Sequence, residues 1–471
     1  MSRLVVISNR VPSVTKGAKV QAGGLAVAMQ AALRQRGGIW MGWSGKSSGR
    51  NEPTAPVFEE RGPITYALTD LSRQDISEYY AGFANSVLWP LCHYRLDLTD
   101  YARKDMAGYF RVNRFFAQQL ASLLKPDDLV WAQDYHLIPM ASELRRMGVK
   151  NRLGFFMHIP WPPPDVFFTL PVHETLIRSL TFYDVVGFQT AHDVENFASC
   201  LRREGIGRAL GDGWFEAYGH RFRAGTFPIG IDTAGFAEAA RTAVRSPSVR
   251  RIEESLAGCE AIVGVDRLDY SKGIPQRMEA FERFILANPD YRGKATLFQI
   301  TPKSRSDVPS YGDMQRDVAE LAGRVNGALG TLDWTPIRYI NQSVSQNVLA
   351  GIYRIARVGL VTPLRDGMNL VAKEYVAAQR PEDPGVLVLS RFAGAARELE
   401  GAILVNPYDV EAVASAIAQA LSMPLEARRE RWNQMMPHLL ENDISKWCAD
   451  FLEALNGQAS SASPRDAGMA A

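Results

Sequence analysis

The sequence predicts an α/β fold of two domains, each built on a parallel sheet covered by helices. Nine short apolar runs have the length and composition of buried strands: residues 4–8, 129–132, 153–158, 185–189, 261–265, 295–300, 358–362, 386–389 and 402–405. Amphipathic helical patterns lie between many of them, for example at 26–36, 112–124, 275–288 and 410–422. Nearly continuous apolar strands that alternate with helices are typical of parallel sheets buried on both faces.

The series of strands starts twice, at residue 4 and again at residue 261, which predicts two Rossmann-like domains. A polar, Arg-rich helical stretch at 236–256 separates the two series. We therefore expect an N-terminal domain at 1–235 and a C-terminal domain at 236–455. The last helix of the second domain, at about 443–455, should return to the first domain. The tail at 456–471 is rich in Gly, Ala, Ser and Pro and is expected to be flexible.

Composition and charge disfavour several classes of protein. The 471 residues are 46% apolar and 22% charged, and 53 Lys and Arg against 51 Asp and Glu leave a net charge of +2, which gives no overall attraction to nucleic acid or anionic membranes. No apolar run approaches the roughly 20 residues of a membrane helix, and the N-terminus lacks the pattern of a signal peptide. The four cysteines are far apart and form no CxxC pair. We expect a cytoplasmic protein.

The segment at 267–273, RLDYSKG, directly follows a predicted strand and carries two cations. Ligands of α/β folds bind outside the carboxyl ends of strands. Arg267 and Lys272 could both face one anion there, the guanidinium as a fork and the ammonium as a point charge, which suits a diphosphate. Two solvated cations on a loop are an equally good interpretation of this segment alone. Arg305, after the strand at 295–300, is another candidate anion-binding residue.

The segment at 364–374, LRDGMNLVAKE, places a predicted helix start directly after a strand. The free N–H groups of a helix beginning near Asn369 would hold a phosphate. Glu374 lies one turn further and is suited to accept hydrogen bonds from a ribose. The alternative is a helix that Asp366 or Asn369 merely caps. A cap does not need Asp, Gly, Asn and Glu together, so the pattern favours a ligand site.

Polar residues also follow strands of the first series. Gly23 and Gly24 form a glycine loop, although a lone Gly-Gly is more often just a turn. Arg10 ends the first strand, where a basic residue is otherwise usually solvated. Asp134 and His158 end two strands of one predicted sheet and could converge on one crevice. A lone histidine is more often a core residue, but two such strand ends favour a site.

Several motifs of other enzyme classes are absent from the sequence. There is no GxxxxGK[ST] loop of P-loop NTPases and no GxGxxG after the first strand, which disfavours NAD binding. There is no GxSxG elbow of α/β hydrolases. No Asp-x-Asp occurs, so the common carboxylate clamp for a metal–nucleotide complex is missing. We expect neither a metal nor a cofactor.

At these motifs the sequence closely resembles the trehalose-6-phosphate synthases, a family of retaining glycosyltransferases. The matching segments are SNRVP at 8–12, AGGLA at 22–26, GWSG at 42–45, EYYAGFANSVLWPLCHYR at 78–95, WAQDYHL at 131–137, FFMHIPWPPPDVF at 155–167, VDRLDYSKG at 265–273 and LVTPLRDGMNLVAKEYVAAQ at 360–379. The resemblance implies the GT-B fold, in which two Rossmann-like domains face each other across a deep cleft. It also implies transfer of glucose from UDP-glucose to glucose 6-phosphate, with UDP-glucose as a substrate and not a cofactor.

Matching positions imply roles for individual residues. Those that would hold glucose 6-phosphate are Arg10, Tyr80, Trp89, Asp134 and Arg305. Those that would bind UDP-glucose are Gly23, Gly24, Arg267, Lys272, Val344, Asp366, Asn369, Leu370, Val371, Ala372, Lys373 and Glu374. Those that would act in catalysis are Arg267, Lys272, His158 and Asp366.

Two positions depart from the family pattern. Trp161 stands where Phe is common, and Val344 stands where a larger apolar residue contacts the base. These departures leave the preference among UDP-, ADP- and GDP-glucose open. The resemblance further implies a homo-oligomer, either a dimer or a tetramer, and a trehalose-6-phosphate phosphatase that acts downstream as a separate chain.

Two alternatives remain at the level of sequence. One is a related synthase with another acceptor, such as glycerol 3-phosphate, or an enzyme that couples a pseudo-sugar. Arg10, Tyr80, Trp89 and Arg305 together favour a hexose phosphate instead. The other is a catalytically weak regulatory subunit that binds sugar phosphates, and the intact set of donor residues disfavours it.

Overall fold

The strands form two separate sheets in the computed structural model, which describes residues 2–12, 24–303 and 309–457. The first sheet consists of β1 (Leu4–Arg10), β2 (Gly38–Ser47), β3 (Val57–Arg61), β4 (Ile64–Leu71), β5 (Leu129–Gln133), β6 (Arg152–Phe156), β7 (Val185–Phe188), β8 (Arg208–Gly211), β9 (Trp214–Ala217) and β10 (His220–Thr226). Their order is β3-β4-β2-β1-β5-β6-β7-β10-β9-β8. The seven neighbouring strands β4, β2, β1, β5, β6, β7 and β10 are parallel. Antiparallel strands extend the sheet at both edges, β3 beside β4, and β9 and β8 beside β10.

The second sheet is parallel throughout. Its strands are β11 (Glu260–Val265), β12 (Ala295–Ile300), β13 (Ile337–Ile340), β14 (Val358–Val361), β15 (Val386–Ser390) and β16 (Ile403–Val405). Their order is β13-β12-β11-β14-β15-β16. Strand order reverses at β1 in the first sheet and at β11 in the second, and such reversals open a ligand crevice beyond the carboxyl ends of the strands.

Helices cover both sheets. In the first half of the chain they are α1 (Gly24–Arg36), α2 (Arg73–Asp75), a π-helix (Ile76–Leu88), α3 (Trp89–Cys92), α4 (Arg103–Leu123), α5 (Met140–Arg146), α6 (Pro164–Phe167), α7 (His173–Leu180) and α8 (Ala191–Arg203), with 3₁₀ turns at Leu96–Leu98 and Tyr135–Leu137. In the second half they are α9 (Thr233–Ala243), α10 (Pro247–Ser255), α11 (Ile274–Ala287), α12 (Pro309–Leu329), α13 (Gln346–Ile355), α14 (Leu370–Ala378), α15 (Val410–Ser422), α16 (Leu425–Glu441) and α17 (Ile444–Asn456), with 3₁₀ turns at Tyr270–Lys272, Pro289–Tyr291 and Gly394–Arg397. No helix within the described ranges is both long and apolar enough to cross a bilayer.

The nine strands expected from the sequence are confirmed to within two residues at each end. Two expectations about helices need correction. The helix expected at 112–124 begins at Arg103, because its first three residues, Arg-Lys-Asp, are polar and do not signal the start of its apolar face. The helical stretch at 236–256 is two helices, since the Ser246 side chain caps a new helix at Val249 N and Pro247 stands in its first turn.

The last helix, α17, packs on the first sheet. The Phe451 ring stacks on Trp131 with centroids 4.4 Å apart and an interplanar angle of 9°. Gly154 and Gly187 leave room for it, since a Cβ at either position would lie within 2.8 Å of the Phe451 ring. The domain limits expected at residues 235 and 455 stay predictions. Most of the expected tail, from residue 458 onward, lies outside the described residues.

Candidate active site

The loop after β11 brings a buried ammonium to the carboxyl edge of the second sheet. Lys272 is only 8% exposed, and its Nζ forms a short ion pair with Asp366 Oδ2, on the loop after β14. Gly273 ends the turn with φ 62°, and a Cβ there would lie 2.5 Å from Thr362 O. Arg267, at the start of the same loop, is exposed. The two cations expected to bind a diphosphate are therefore on one short loop that is packed against β14.

A second, fully buried ion pair lies beneath this loop. The Arg277 guanidinium, on α11, is 2.7 Å from Asp266 Oδ2 and also donates to the Lys272 carbonyl at 3.2 Å and to Thr362 Oγ1 at 3.0 Å. Burial raises the pKa of the Asp266 carboxyl, against the lowering effect of Arg277. Arg277 thus ties the loop to β14. Sequence reasoning missed this residue, because a single Arg in an amphipathic helix resembles a solvated surface residue.

Helix α14 begins without a side-chain cap. Asn369, in the cap position, has φ 74°, and its side-chain amide donates to Asp366 Oδ2 at 3.0 Å instead of capping the helix. The capped helix weighed in the sequence analysis is therefore not what forms. The first backbone N–H groups of a helix have no partners inside it, so those of α14 are left to bind an anion beside Lys272.

The two charged residues of α14 have different surroundings. Burial raises the pKa of the Glu374 carboxyl to about 7, and this side chain lines a cavity of about 190 Å³ with Gly230 and Gln346. The Lys373 side chain is fully buried, pairs with Glu398 at 2.7 Å and donates to the Ile229 carbonyl at 2.7 Å. Lys373 therefore has only its backbone available to a ligand, whereas Glu374 has its carboxylate.

A π-helix presents the two aromatic residues expected at the acceptor. Tyr80 and Trp89 would lie about two and a half turns apart in an α-helix, on opposite faces. The wider turns of a π-helix, with their i→i+5 hydrogen bonds, bring them about two turns apart, on one face. The wide turns leave carbonyls accessible, and Asn85 Nδ2 donates to Tyr80 O at 2.8 Å. The Tyr80 ring stacks on His136, with centroids 6.1 Å apart.

Arg10 lies next to the same aromatic group. Its Cζ is 5.8 Å from the centroid of Trp43, whose ring meets Tyr80 edge-on at 5.4 Å. Gly45, at the far end of β2, has φ 87°, and a Cβ there would lie 2.5 Å from Arg10 Nη2. Trp43 was not among the expected site residues, although it belongs to the GWSG segment.

Asp134 and His158 lie side by side at the ends of β5 and β6. The Asp134 carboxylate accepts from His158 N at 3.1 Å, and Asp134 holds φ 74° and ψ 168°, a conformation almost confined to glycine. Burial lowers the pKa of His158 to about 3, so the imidazole is neutral at neutral pH. Its Nε2 is 2.9 Å from the side-chain amide of Gln133, so a hydrogen bond between the two side chains orients the imidazole.

The two sheets meet at these residues. Trp89 Nε1 donates to Asp269 Oδ1, on the second-domain loop, at 3.3 Å, and the Arg267 Cζ is 5.8 Å from the Trp89 ring. Gly367 packs directly on the first domain, since a Cβ there would lie 2.1 Å from His158 O. The groups expected to bind the donor and those expected to bind the acceptor therefore face each other in one cleft.

Four expected residues add little or nothing to this geometry. Gly23 and Arg305 lie outside the described residues, and Gly24 is the first residue of α1. Val344 is half-buried and lies just before α13. Within residues 2–12, 24–303 and 309–457, no three or more His, Cys, Asp or Glu side chains are grouped as metal ligands.

Known proteins with this architecture identify the family. A family model of glycosyltransferase family 20 matches residues 2–457. The chain belongs to glycosyltransferase family 20. A family 20 relative, the trehalose-6-phosphate synthase of Sinorhizobium fredii, is 67% identical over 456 residues, which are 97% of this chain and 98% of the relative.

Solved structures of family 20 share the fold. A Burkholderia xenovorans UDP-forming α,α-trehalose-phosphate synthase in complex with glucose-6-phosphate is 48% identical with a TM-score of 0.93, covering 97% of this chain and 100% of that chain. An Escherichia coli structure bound with UDP-2-fluoro glucose is 46% identical with a TM-score of 0.91, covering 96% and 99%. The resemblance seen in the sequence motifs and the two-domain GT-B fold are both confirmed.

Proposed function

We propose that this chain is a retaining, UDP-forming α,α-trehalose-phosphate synthase that transfers glucose from UDP-glucose to glucose 6-phosphate. The names of its relatives support this function. The observation that carries the proposal is the cleft itself: the Lys272 loop and the uncapped start of α14 face Trp89, Asp134 and His158 across a contact of 3.3 Å between Trp89 and Asp269.

The donor is assigned to the second domain. Arg267 and Lys272 would neutralise the diphosphate, and the N–H groups of residues 370–372 would hold one of its phosphates. Glu374 would accept hydrogen bonds from the ribose, a use that fits a buried carboxylate beside a cavity. Val344 would contact the base, and the Gly23–Gly24 loop would approach the donor from the first domain.

The acceptor is assigned to the first domain. Trp89 and Tyr80 would border the apolar faces of the sugar ring, and Asp134 would bind its hydroxyls. Arg10 and Arg305 would bind the phosphate. Charge-assisted hydrogen bonds are worth about 1.5–3 kcal/mol each, so two of them would separate glucose 6-phosphate from glucose by orders of magnitude.

We propose same-face transfer. The bond between the anomeric carbon and the phosphate oxygen breaks, its electrons stay on UDP, and the acceptor hydroxyl oxygen bonds to the carbon while its proton passes to the departing phosphate oxygen. Lys272, Arg267 and the start of α14 stabilise the charge that develops on UDP. The Asp366 carboxylate is engaged by Lys272 and Asn369, which suits binding of sugar hydroxyls better than nucleophilic attack.

The decisive experiment measures UDP release from UDP-glucose with glucose 6-phosphate, glycerol 3-phosphate or glucose offered separately. We expect turnover with glucose 6-phosphate alone, also after treatment with a chelator, because the protein's own cations serve the leaving group. Lys272→Met should lower kcat by a factor of about a hundred or more, as loss of one transition-state donor does. The matched control is Lys446→Met, on an exposed pair of α17. Turnover with glycerol 3-phosphate would assign a different acceptor, and equal rates in the two variants would remove Lys272 from the reaction.

We further propose a cytoplasmic homo-oligomer whose phosphorylated product passes to a separate phosphatase. The four cysteines all lie in the described residues and are thiols, which fits a reducing compartment. The edge strand β3 exposes Val57 and Phe58, a feature that favours self-association. Light scattering coupled to gel filtration tests the assembly, and a mass of 52 kDa would identify a monomer.

A further inference from the structure

One carboxylate oxygen of Asp269 contacts both domains. The residue is completely buried in the loop that carries Arg267 and Lys272. Its Oδ1 accepts from Ser271 N at 3.0 Å and from Ser271 Oγ at 2.8 Å, two bonds that shape this loop. The same oxygen accepts from Trp89 Nε1 at 3.3 Å. One oxygen therefore contacts both the turn of the donor loop and an indole of the first domain.

Trp89 is held from both sides of the cleft. From the second domain it receives the Asp269 bond on its nitrogen, and the Arg267 guanidinium lies 5.8 Å from its ring centroid. From the first domain, Tyr135 and His93 pack on its ring with centroids 5.8 Å and 4.2 Å away. The indole is thus in contact with both the donor loop and the first domain.

We propose that Asp269 is a positioning residue that couples the donor site to the acceptor site through Trp89. This inference rests on the proposed function, in which the loop binds the diphosphate and Trp89 borders the acceptor sugar. A diphosphate bound by Arg267 and Lys272 fixes the position of the loop, and the loop in turn fixes the orientation of the indole. The acceptor sugar then binds against an indole that is already in place. The enzyme should bind glucose 6-phosphate more tightly when UDP is present, and by reciprocity UDP more tightly when glucose 6-phosphate is present.

The test is calorimetric titration of the full chain with glucose 6-phosphate, with and without saturating UDP. The ratio of the two dissociation constants is the coupling factor. We expect a clear factor above one in the wild type and a fall of roughly tenfold, or to one, in Trp89→Phe, which keeps a ring but lacks the N–H that bonds to a charged group. Asp269→Asn keeps the oxygen without its charge and should lower the factor in the same direction.

The matched control is Trp43→Phe. Trp43 lines the same side of the cleft, but its N–H donates to Lys46 O at 2.7 Å, within the first domain. This variant should change acceptor affinity equally with and without UDP and keep the coupling factor. Thermal unfolding of each variant checks the fold. If Trp89→Phe does not fold, the coupling factor of Asp269→Asn tests the proposal.

The outcomes separate the inference from the function on which it rests. A wild type that binds neither UDP nor glucose 6-phosphate contradicts the proposed function. A wild type that binds both with a coupling factor of one overturns the inference alone. An unchanged factor in Trp89→Phe and Asp269→Asn also overturns it, since the contact would then be purely structural.

Discussion

Three residues with positive φ angles lie along the cleft, although side chains disfavour this conformation. They are Tyr94 (φ 61°), Asp134 (φ 74°) and Asn369 (φ 74°). Asn tolerates the left-handed region, but Asp134 combines its φ with ψ 168°, and such strain costs about 1–3 kcal/mol per residue. The Arg365 guanidinium of the second domain lies 3.7 Å from the Tyr94 ring centroid. Three of the six non-glycine residues with positive φ in the described ranges thus lie along the cleft.

A pair of substitutions at Asp134 separates strain from function. Both Asp134→Ala and Asp134→Gly remove the carboxylate, but only glycine relaxes the backbone. We expect Asp134→Gly to be more stable than Asp134→Ala by about 1 kcal/mol or more in denaturant unfolding. Both should raise the KM for glucose 6-phosphate to a similar extent. Equal stabilities would show that Asp134 is not strained, and an unchanged acceptor KM would remove its carboxylate from the acceptor site.

The buried carboxyl of Glu374 should lower the stability of the free protein when it is charged, and the same charge should strengthen UDP binding. Its pKa of about 7 lies above the ordinary glutamate value of 4.5, so the folded state holds a proton that the unfolded state releases in this range. Its contribution to stability is therefore present below about pH 4.5 and is lost as the pH rises through about 7. Glu374→Gln, which never ionises, should melt a few degrees higher than the wild type at pH 8.

The same variant should bind UDP roughly tenfold more weakly at pH 8, because a hydrogen bond to a charged acceptor is lost. The gain in melting temperature should shrink at pH 5. Thermal melting without ligand and UDP titration at both pH values measure the two effects. A gain of the same size at pH 5 and pH 8 would rule out the buried charge as its cause.

At the scale of elements, β2 sets the position of the predicted phosphate ligand Arg10. The end of β2 runs beside the Arg10 side chain only because Gly45 has no Cβ and can hold φ 87°. The strand is also close to β1 along its length, since a Cβ at Gly42 would lie 2.1 Å from Ser8 O. The glycines that obscure β2 as a strand in the sequence are those that let it approach the site.

Gly45→Ala should have the same effect on acceptor binding as the loss of the Arg10 side chain, although Arg10 itself is unchanged. The added Cβ displaces the guanidinium, so we expect the KM for glucose 6-phosphate to rise roughly tenfold while the KM for UDP-glucose stays within a factor of two or so. Gly49→Ala is the matched control, because Gly49 also has a positive φ (67°) but nothing within 4 Å of its Cβ position. Steady-state kinetics of both variants measure the effect. The same rise in Gly49→Ala would mean that backbone strain, not Arg10, is responsible.

At the scale of the whole molecule, the chain passes between the two domains twice, and the two crossings are adjacent. The first crossing lies between β10 and α9, and the second lies between α16 and α17. Ile444 N donates to Ile231 O at 3.0 Å, and Thr233 Oγ1 donates to Leu439 O at 2.7 Å. Gly230 fits against the second crossing, where a Cβ would lie 2.4 Å from Asn442 O. Two adjacent crossings are suited to act as a hinge.

We predict that the domains close on their ligands about this hinge. Closure excludes water, which would otherwise hydrolyse UDP-glucose. Small-angle scattering should show a smaller radius of gyration with UDP and glucose 6-phosphate than without them. Gly230→Ala should reduce that change, whereas Gly327→Ala, on α12 with open space at its Cβ position, should not. A radius that ligands leave unchanged in the wild type would contradict the prediction.

The sequence by itself determined the family and nine of the sixteen strands of the described residues, and it named candidate site residues. Buried parallel strands are continuous apolar runs, so all nine expected strands could be found from composition alone. Lys272 and Asp366 could be named as candidates because each lies in the loop directly after such a strand, and Glu374 because it lies in the helix that follows the loop of Asp366. These features depend mainly on residues that are close together in the sequence, so a local sequence pattern can predict them.

Only the tertiary structure decided how these residues are used. The Lys373 side chain turns into a buried pair with Glu398, the Asn369 amide binds Asp366 instead of capping α14, and the oxygen of Asp269 reaches Trp89 across the cleft. Each partner is remote in sequence, so no local pattern signals it. The π-helix that puts Tyr80 and Trp89 on one face is equally hidden, because its stability depends on the tertiary packing around it and its apolar spacing resembles that of an α-helix.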